Sequence, residues 1–339
     1  MTSGSPGRLI ILFAIPLMLG NICQQLYTMV DTMVVGQVAG VEALAALGAV
    51  DFLMWVVTGI STGLTQGFSI QLSQYYGAKD FENLRKSLAH SYRLTAFIAA
   101  GVLILSQSFA SLVLTGLHTP SNIIGMSLLY LRIIFCGIPA TAAYNMFASA
   151  LRAMGNSKTP LTAMIIASVL NVSLDILFVT GFGWGVAGAA IATVIAQSFS
   201  AVYCFLILRR IDIVHLTRAD FMPASGMNAR LMKLGIPVVF QNIIIGVGGL
   251  VVQYVINGYG FLFVAGFTAT NKLYGLLEMA AISYGYAIVT YVGQNLGAGK
   301  IDRIRKGVRS SMLLSLLTSL IISAAMFLFG NNILSLFIY

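Results

Sequence analysis

The sequence contains very little charge. Only 9% of its 339 residues are Asp, Glu, Lys or Arg, and only ten of them are acidic. A chain that is 58% hydrophobic, with a mean hydropathy of +0.91, cannot keep its apolar surface away from water by folding as a soluble globule. The composition therefore excludes a soluble fold and predicts a protein embedded in lipid.

Cysteine and histidine are also scarce. The three cysteines, Cys23, Cys136 and Cys204, lie inside apolar runs without a CxxC pair or a nearby histidine cluster, so neither a disulfide nor a zinc site is indicated. No nucleophile, base and orienting group gather within the runs, which argues against an intramembrane enzyme. The runs also lack a break typical of a channel's selectivity filter. We expect no cofactor.

Long apolar runs, in contrast, are abundant. About 20 apolar residues are enough to cross a bilayer as a helix, and the sequence predicts an all-α protein that crosses the membrane repeatedly. The nine predicted spans are 9–35, 43–76, 86–116, 121–151, 159–180, 184–208, 231–257, 262–296 and 308–331. Several exceed the minimum length, and Pro16, Pro139 and Pro237 fall inside spans, so we expect tilted or kinked helices.

The positive charges follow the order of the spans. Lys and Arg lie before the first span and in every second loop, whereas the loops between carry none. They include Arg8, Lys79, Arg85, Lys86, Arg152, Lys158, Arg209, Arg210, Lys300 and Arg305. This pattern predicts a multi-pass protein of the cell membrane with a cytoplasmic N-terminus. Because the topology explains the net charge of +9, we expect no nucleic-acid partner.

An internal repeat divides the chain. Segments 73–88 and 293–308 match at an offset of 220 residues, with Gly77 on Gly297 and Lys86 on Lys306. An even number of spans separates the copies, which predicts two parallel six-helix repeats related by an axis along the membrane normal. The predicted first lobe is 1–210, the cytoplasmic linker is 211–230, and 231–339 is a partial second lobe of about three spans. About three further spans are therefore expected to be missing.

The two repeats differ at one acidic position. Asp31 in the first span maps onto Val252. Counted from the outer ends of their spans, Asp31, Asn171, Asp175 and Thr193 lie at similar depth. These oxygen-bearing side chains suit Na⁺ or a shared proton. Hydrogen bonding between helices is the alternative, and it is the better explanation for Thr193 alone. Two aspartates, each costing about 2.5–3.5 kcal/mol to insert, favour a cation-coupling site.

Four further side chains are weaker candidates for a substrate pocket. Gln24 and Thr28 share a helix face with Asp31, and Gln197 lies on the face of Thr193. Glu278 lies in the middle of the eighth span, where it would act as a second coupling or substrate carboxylate. An ion pair with Lys272, or with a partner in the missing spans, explains Glu278 equally well.

Several stretches resemble the multidrug and toxic compound extrusion (MATE) family. They are IPLMLGNICQQLYTMVDTMVVGQVAGVEALAALG (15–48), YLRIIFCGIPATAAYNMFASALRAMGNSKTPL (130–161), NVSLDILFV (171–179), WGVAGAAIATVIAQ (184–197) and GQNLGAGK (293–300). The resemblance implies two six-helix lobes arranged as a V, and export of organic, often cationic, compounds driven by H⁺ or Na⁺. The family's first-lobe cation site uses an acid in the VDT segment, the Asn and Asp of NxxLD, and a Thr of the sixth span. These correspond here to Asp31, Asn171, Asp175 and Thr193.

The resemblance also defines the expected partners and the alternatives. A small organic substrate and membrane lipid are expected, without an obligate protein partner. Some family members carry a Glu in the seventh span, but 231–257 contains no carboxylate, which favours coupling through the first lobe. A lipid-linked oligosaccharide flippase is an alternative, although it would need a more cationic cavity than Arg132 and Lys272 provide. The second alternative is a truncated transporter without function.

Overall fold

The protein is built from long α-helices. The computed structural model describes residues 1–117, 119–257 and 261–334, and no β-strand occurs within these ranges. The helices are α1 (Pro6–Val38), α2 (Val41–Gly48), α3 (Asp51–Ala78), α4 (Phe81–Gly116), α5 (Ile124–Cys136), α6 (Ile138–Ala153), α7 (Lys158–Asp175), α8 (Gly185–Arg209), α9 (Met227–Asn257), α10 (Phe261–Gly297) and α11 (Ile301–Leu334). A π-helical turn, Ile176–Gly181, follows α7, and two 3₁₀ turns lie between α8 and α9. The predicted all-α fold is confirmed.

Each predicted span corresponds to a helix or to two consecutive helices. Within the described residues, seven helical stretches are long and apolar enough to cross a membrane, and an eighth is formed by α5 and α6 together. The predicted span 262–296 corresponds to α10, but many side chains in the first half of α10 lie outside the described residues. The span predicted at 43–76 contains α2 and α3.

The predicted kink at Pro139 is present. Helices α5 and α6 are bent by 46° at the break around Gly137, and Pro139 is the second residue of α6. Proline is favoured there because its missing N–H would be unsatisfied in the first turn of a helix anyway. Pro16 and Pro237 instead lie inside α1 and α9, which continue past them.

The outer surface of the helices is apolar, as expected for contact with lipid. Phe97 of α4 is 79% exposed and Phe327 of α11 is 91% exposed. Exposed aromatic side chains of this size, present on several helices, would be unstable in water but are stable against acyl chains.

Equivalent residues of the two repeats meet where α3 packs against α10. A Cβ atom added to Gly77 would overlap the backbone carbonyl of Gln294, and one added to Gly297 would overlap the carbonyl of Gln74. Since Gly77 is equivalent to Gly297 and Gln74 to Gln294, the two contacts are related by an approximate twofold axis. We call this contact, formed by residues 73–77 and 293–297, the glycine seam.

The same symmetry extends along the neighbouring helices. Asn21 of α1 donates from Nδ2 to Ser283 Oγ of α10 at 3.2 Å. Its equivalent, Asn242 of α9, donates from Nδ2 to the Gly59 carbonyl of α3 at 3.1 Å. Helices α1 and α9 therefore occupy corresponding positions, each packed on the helix that forms the second span of the opposite repeat, α10 for α1 and α3 for α9.

Candidate cation-coupling site

The predicted cation-coupling residues lie on three helices of the first repeat. Helix α7 packs between α1 and α8. Asp31 lies two turns before the end of α1, and Asp175 is the last residue of α7, one turn after Asn171. The π-helical turn begins at the next residue, Ile176. Such turns are rare and frequently occur at functional sites, because they break the regular α-helical hydrogen-bonding ladder.

The structure brings the four residues together. Asn171 and Asp175 are fully buried and Asp31 is 5% exposed. Asn171 donates from Nδ2 to Thr193 Oγ1 at 3.5 Å, a long hydrogen bond that links α7 to α8. Helix α7 also packs against α1, where Ser168 Oγ donates to the Cys23 carbonyl at 3.4 Å. The depth count from the sequence thus predicted side chains that are neighbours.

The buried oxygen atoms of this cluster lack hydrogen-bond donors. Among the described residues, none donates a hydrogen bond to Asp31 Oδ1, Asn171 Oδ1 or either carboxylate oxygen of Asp175. Buried polar atoms are normally hydrogen-bonded, because leaving one unpaired costs about 1–3 kcal/mol. A bound cation, or protons on the carboxylates, would satisfy acceptors of this kind.

The ligand types favour a small cation. Carboxylate, amide and hydroxyl oxygens are hard ligands suited to hard metal ions, whereas the described part of the chain has no group of three or more His, Cys, Asp or Glu residues placed to hold a metal. Two carboxylates with two neutral oxygen donors suit Na⁺ or a proton better than a highly charged metal ion.

A second polar layer lies next to the cluster and includes Tyr27, which sequence reasoning missed. The buried Tyr27 hydroxyl accepts a hydrogen bond from Gln197 Nε2 at 3.4 Å. Within the described residues, Gln197 Oε1 and the buried Ser200 Oγ have no hydrogen-bond partner. A signal for Tyr27 was present in the sequence, because it lies four residues before Asp31 on the same helix face. Tyr27 was overlooked because a tyrosine in an apolar run is usually counted as a hydrophobic residue.

The other three candidates are exposed, in contrast to the buried cluster. Gln24 and Thr28 are exposed, and Thr28 Oγ1 donates to the Gln24 carbonyl of its own helix at 2.9 Å. Glu278 is exposed on α10, and the side chain of Lys272, its suggested ion-pair partner, lies outside the described residues. The assignment of Gln24, Thr28, Gln197 and Glu278 to a substrate pocket stays a prediction.

Known proteins resemble this chain over nearly its whole length. The MatE family model matches residues 16–177 and 237–339. "Probable multidrug resistance protein YoeA" of Bacillus subtilis is 28% identical, and the match covers 96% of this chain and 72% of that protein. "Probable multidrug resistance protein YpnP" of the same organism is 31% identical, with 89% and 68% covered. This chain is therefore shorter than these relatives.

Solved structures show the same fold. The structure of a MOP superfamily transporter from Pyrococcus furiosus superposes with a TM-score of 0.93 at 23% identity, covering 99% of this chain and 75% of that one. The outward-facing conformation of a multidrug resistance MATE family transporter superposes with a TM-score of 0.92 at 23% identity and the same coverage. Together with the family model and the relatives, these matches show that the chain belongs to the MatE family of multidrug efflux transporters.

Proposed function

We propose that the protein is a secondary antiporter of the cell membrane that exports organic or cationic compounds in exchange for H⁺ or Na⁺. Its relatives are named for multidrug resistance. In this proposal, residues 1–210 form the first lobe, 231–339 form part of the second, and the linker 211–230 and the N-terminus face the cytoplasm. The observation that carries the proposal is the group of buried oxygens on Asp31, Asn171 and Asp175 that have no hydrogen-bond donor within the described part of the chain.

A cation arriving from outside would satisfy these acceptors and reduce the repulsion between Asp31 and Asp175. That change would alter how α1, α7 and α8 pack and would favour release of the substrate outward. One charge moving inward through 100 mV supplies about 2.3 kcal/mol, and each unit of pH gradient adds about 1.4 kcal/mol. These energies are enough to concentrate an organic compound more than tenfold.

Helix α1 provides a route from the cation site to the second repeat. It carries Asp31 near one end and Asn21 nearer its middle, where Asn21 hydrogen-bonds Ser283 of α10. The buried Phe13 and Leu17 of α1 also pack with Tyr284 of α10. A shift or bend of α1, which contains Pro16, would therefore move side chains that hold the two repeats together.

The proposal is tested by transport in liposomes. The chain is reconstituted in vesicles loaded with a fluorescent cationic dye, and dye movement is measured under an imposed Na⁺ gradient and, separately, an imposed pH gradient. We expect transport under one gradient, which identifies the ion. Asp31→Asn removes the charge with little change in volume and should lower gradient-driven transport at least about a hundredfold.

The matched control is Asp212→Asn, which changes an exposed aspartate in the linker and should leave transport unchanged. Size-exclusion profiles of both variants check that they fold. Full transport by Asp31→Asn would refute the assigned site, and a wild-type chain that moves no dye under either gradient would contradict the antiport proposal itself.

A further inference from the structure

A groove separate from the cation site lies between three helices of the first repeat. Helix α6 forms its floor and α4 and α8 form its walls, and it encloses a cavity of about 410 Å³. Its lining is almost entirely apolar and includes Ala96 and Ala99 of α4, Ala143 of α6 and Phe205 of α8. No residue of α1 or α7 lines it, so its occupant would not contact Asp31 or Asp175. The small alanine side chains leave a channel between the helices that runs along α4.

A second cavity lies beside the groove, next to the linker. Tyr92 and Phe205 line both cavities. The second cavity, about 320 Å³, is also lined by Arg209 at the end of α8 and by His215 and Phe221 of the linker. The apolar channel therefore adjoins the cavity that is lined by Arg209 and His215, which we call the basic chamber.

One buried polar group points to the chemistry of the occupant. Thr95 lines the apolar cavity, is only 9% exposed, and its hydroxyl has no hydrogen-bond partner among the described residues. It lies one turn of α4 deeper than Tyr92, so about 4.5 Å separates the hydroxyl from the level where the cavities join. An occupant that carries an acceptor just below its charged end would satisfy this hydroxyl.

The basic chamber is not neutralised by the neighbouring buried acid. Asp220 of the linker is occupied by its own contacts, since it accepts hydrogen bonds from the Thr217 backbone at 2.7 Å and lies 3.7 Å from Arg85. Arg209 and Arg210 are exposed. A guanidinium group at the membrane surface binds phosphate through paired hydrogen bonds, so the chamber suits an anionic group.

We propose that this groove binds one anionic glycerophospholipid from the leaflet next to the linker. One acyl chain lies in the alanine-lined channel, Thr95 donates to an ester carbonyl, and Arg209 binds the phosphate. The three contacts match the order of groups along such a lipid, with the charged head at the surface, esters just below it, and hydrocarbon deepest. A cationic transport substrate would place the wrong charge beside Arg209.

The proposal is tested by native mass spectrometry of the purified, delipidated chain titrated with phosphatidylglycerol or with phosphatidylcholine of identical acyl chains. We expect one tightly retained phosphatidylglycerol per chain and at least about fivefold weaker binding of phosphatidylcholine. Arg209→Gln should weaken phosphatidylglycerol binding about fivefold, corresponding to roughly 1 kcal/mol. The control Arg210→Gln changes the adjacent arginine, which does not line the cavity, and should have no effect.

Two further variants test the groove itself. Ala96→Phe fills the channel from an exposed position of α4 and should abolish the tight binding. Thr95→Val keeps the shape but removes the hydroxyl and should weaken binding two- to fivefold, whereas Thr115→Val, whose hydroxyl bonds the Ser111 carbonyl of the same helix, should not.

Three results would overturn the proposal. They are equal affinity for the two lipids, equal effects of Arg209→Gln and Arg210→Gln, and displacement of the lipid by millimolar inorganic phosphate or by a cationic dye. Displacement by phosphate would show an anion site without a role for the acyl chain, and displacement by the dye would show a site for transport substrates.

Discussion

Helices α1 and α9 occupy corresponding positions in the two repeats, but only α1 carries a buried acid. Both contain an asparagine that reaches the opposite repeat, Asn21 in α1 and Asn242 in α9. Beyond that point they diverge. Asp31 is buried against α7, whereas Val252, at the equivalent position of α9, is 49% exposed.

The comparison separates residues that both repeats share from residues that only the first repeat has. Residues that both repeats share, such as Gly77 and Gly297, lie where the repeats touch each other. Residues found only in the first repeat, such as Asp31, lie in the buried cluster away from that contact. The shared residues form the symmetric contact between the repeats, and in the proposed mechanism the unshared residues bind the cation.

The strongest test of the framework is a methyl group in the glycine seam. Gly77→Ala and Gly297→Ala each place a Cβ atom on a backbone carbonyl of the opposite repeat, so the helices must separate. We expect each to lower stability by about 3 kcal/mol or more, because the obstacle is backbone and cannot change rotamer. Thermal unfolding in detergent measures the effect.

Gly101→Ala in α4 is the control for the seam. No atom lies within 4 Å of a Cβ added there, so stability should stay the same or rise slightly. If the seam variants were as stable as Gly101→Ala, the repeats would not depend on this contact.

The acids found only in the first repeat lead to a second prediction, that removing a buried charge stabilises the protein. Asp31→Asn and Asp175→Asn should each raise the free energy of unfolding by about 1–3 kcal/mol in Na⁺-free buffer. Within the described residues no donor reaches Asp31 Oδ1 or either oxygen of Asp175, and a buried charge with unpaired oxygens is unfavourable. Asp220→Asn should do the opposite, since that buried carboxylate accepts hydrogen bonds from Thr217. Chemical unfolding monitored by fluorescence distinguishes the two directions. A loss of stability in Asp175→Asn as large as that in Asp220→Asn would show that Asp175 has a structural role.

The smallest predicted effect concerns the residues that follow α3 and α10, which share one backbone conformation. Lys79, after α3, has a φ of 59°, and Gly299, its equivalent after α10, has a φ of 70°. This left-handed conformation is unfavourable for residues with a Cβ atom. Lys79→Gly should therefore stabilise the protein by about 0.5–1 kcal/mol, and Gly299→Lys should destabilise it by a similar amount. Thermal unfolding of the two variants and of the double exchange provides the measurement. Shifts in the same direction would contradict the equivalence of the two turns.

The helices were predictable from the sequence, and so was the burial of the aspartates and the asparagine, for physical reasons. The role of these residues in cation coupling stays a prediction. Long apolar runs have no stable alternative to helices in lipid, and a rise of 1.5 Å per residue turns sequence position into depth. Counting depth therefore placed Asp31, Asn171 and Asp175 together. The sequence could not show which side chains would remain without donors, since that depends on the rotation of each helix about its axis.

Other features depend on packing between distant segments. The π-helical turn after Asp175 has no distinctive composition, and Tyr27 differs from its apolar neighbours only once Gln197 lies beside it. The groove arises from the spacing of α4, α6 and α8, which no single run of residues specifies. The bend at Pro139 was predicted because proline restricts the backbone locally.

The glycine seam also affects whether ions can leak between the two repeats. A contact too tight for a methyl group leaves no space for a file of water molecules, and without water neither Na⁺ nor protons can cross at that level between α3 and α10. In the proposed antiport, a cation bound at Asp31 and Asp175 would then be unable to leak between the repeats at this level. Its electrochemical energy would drive substrate export instead of being dissipated as a leak current.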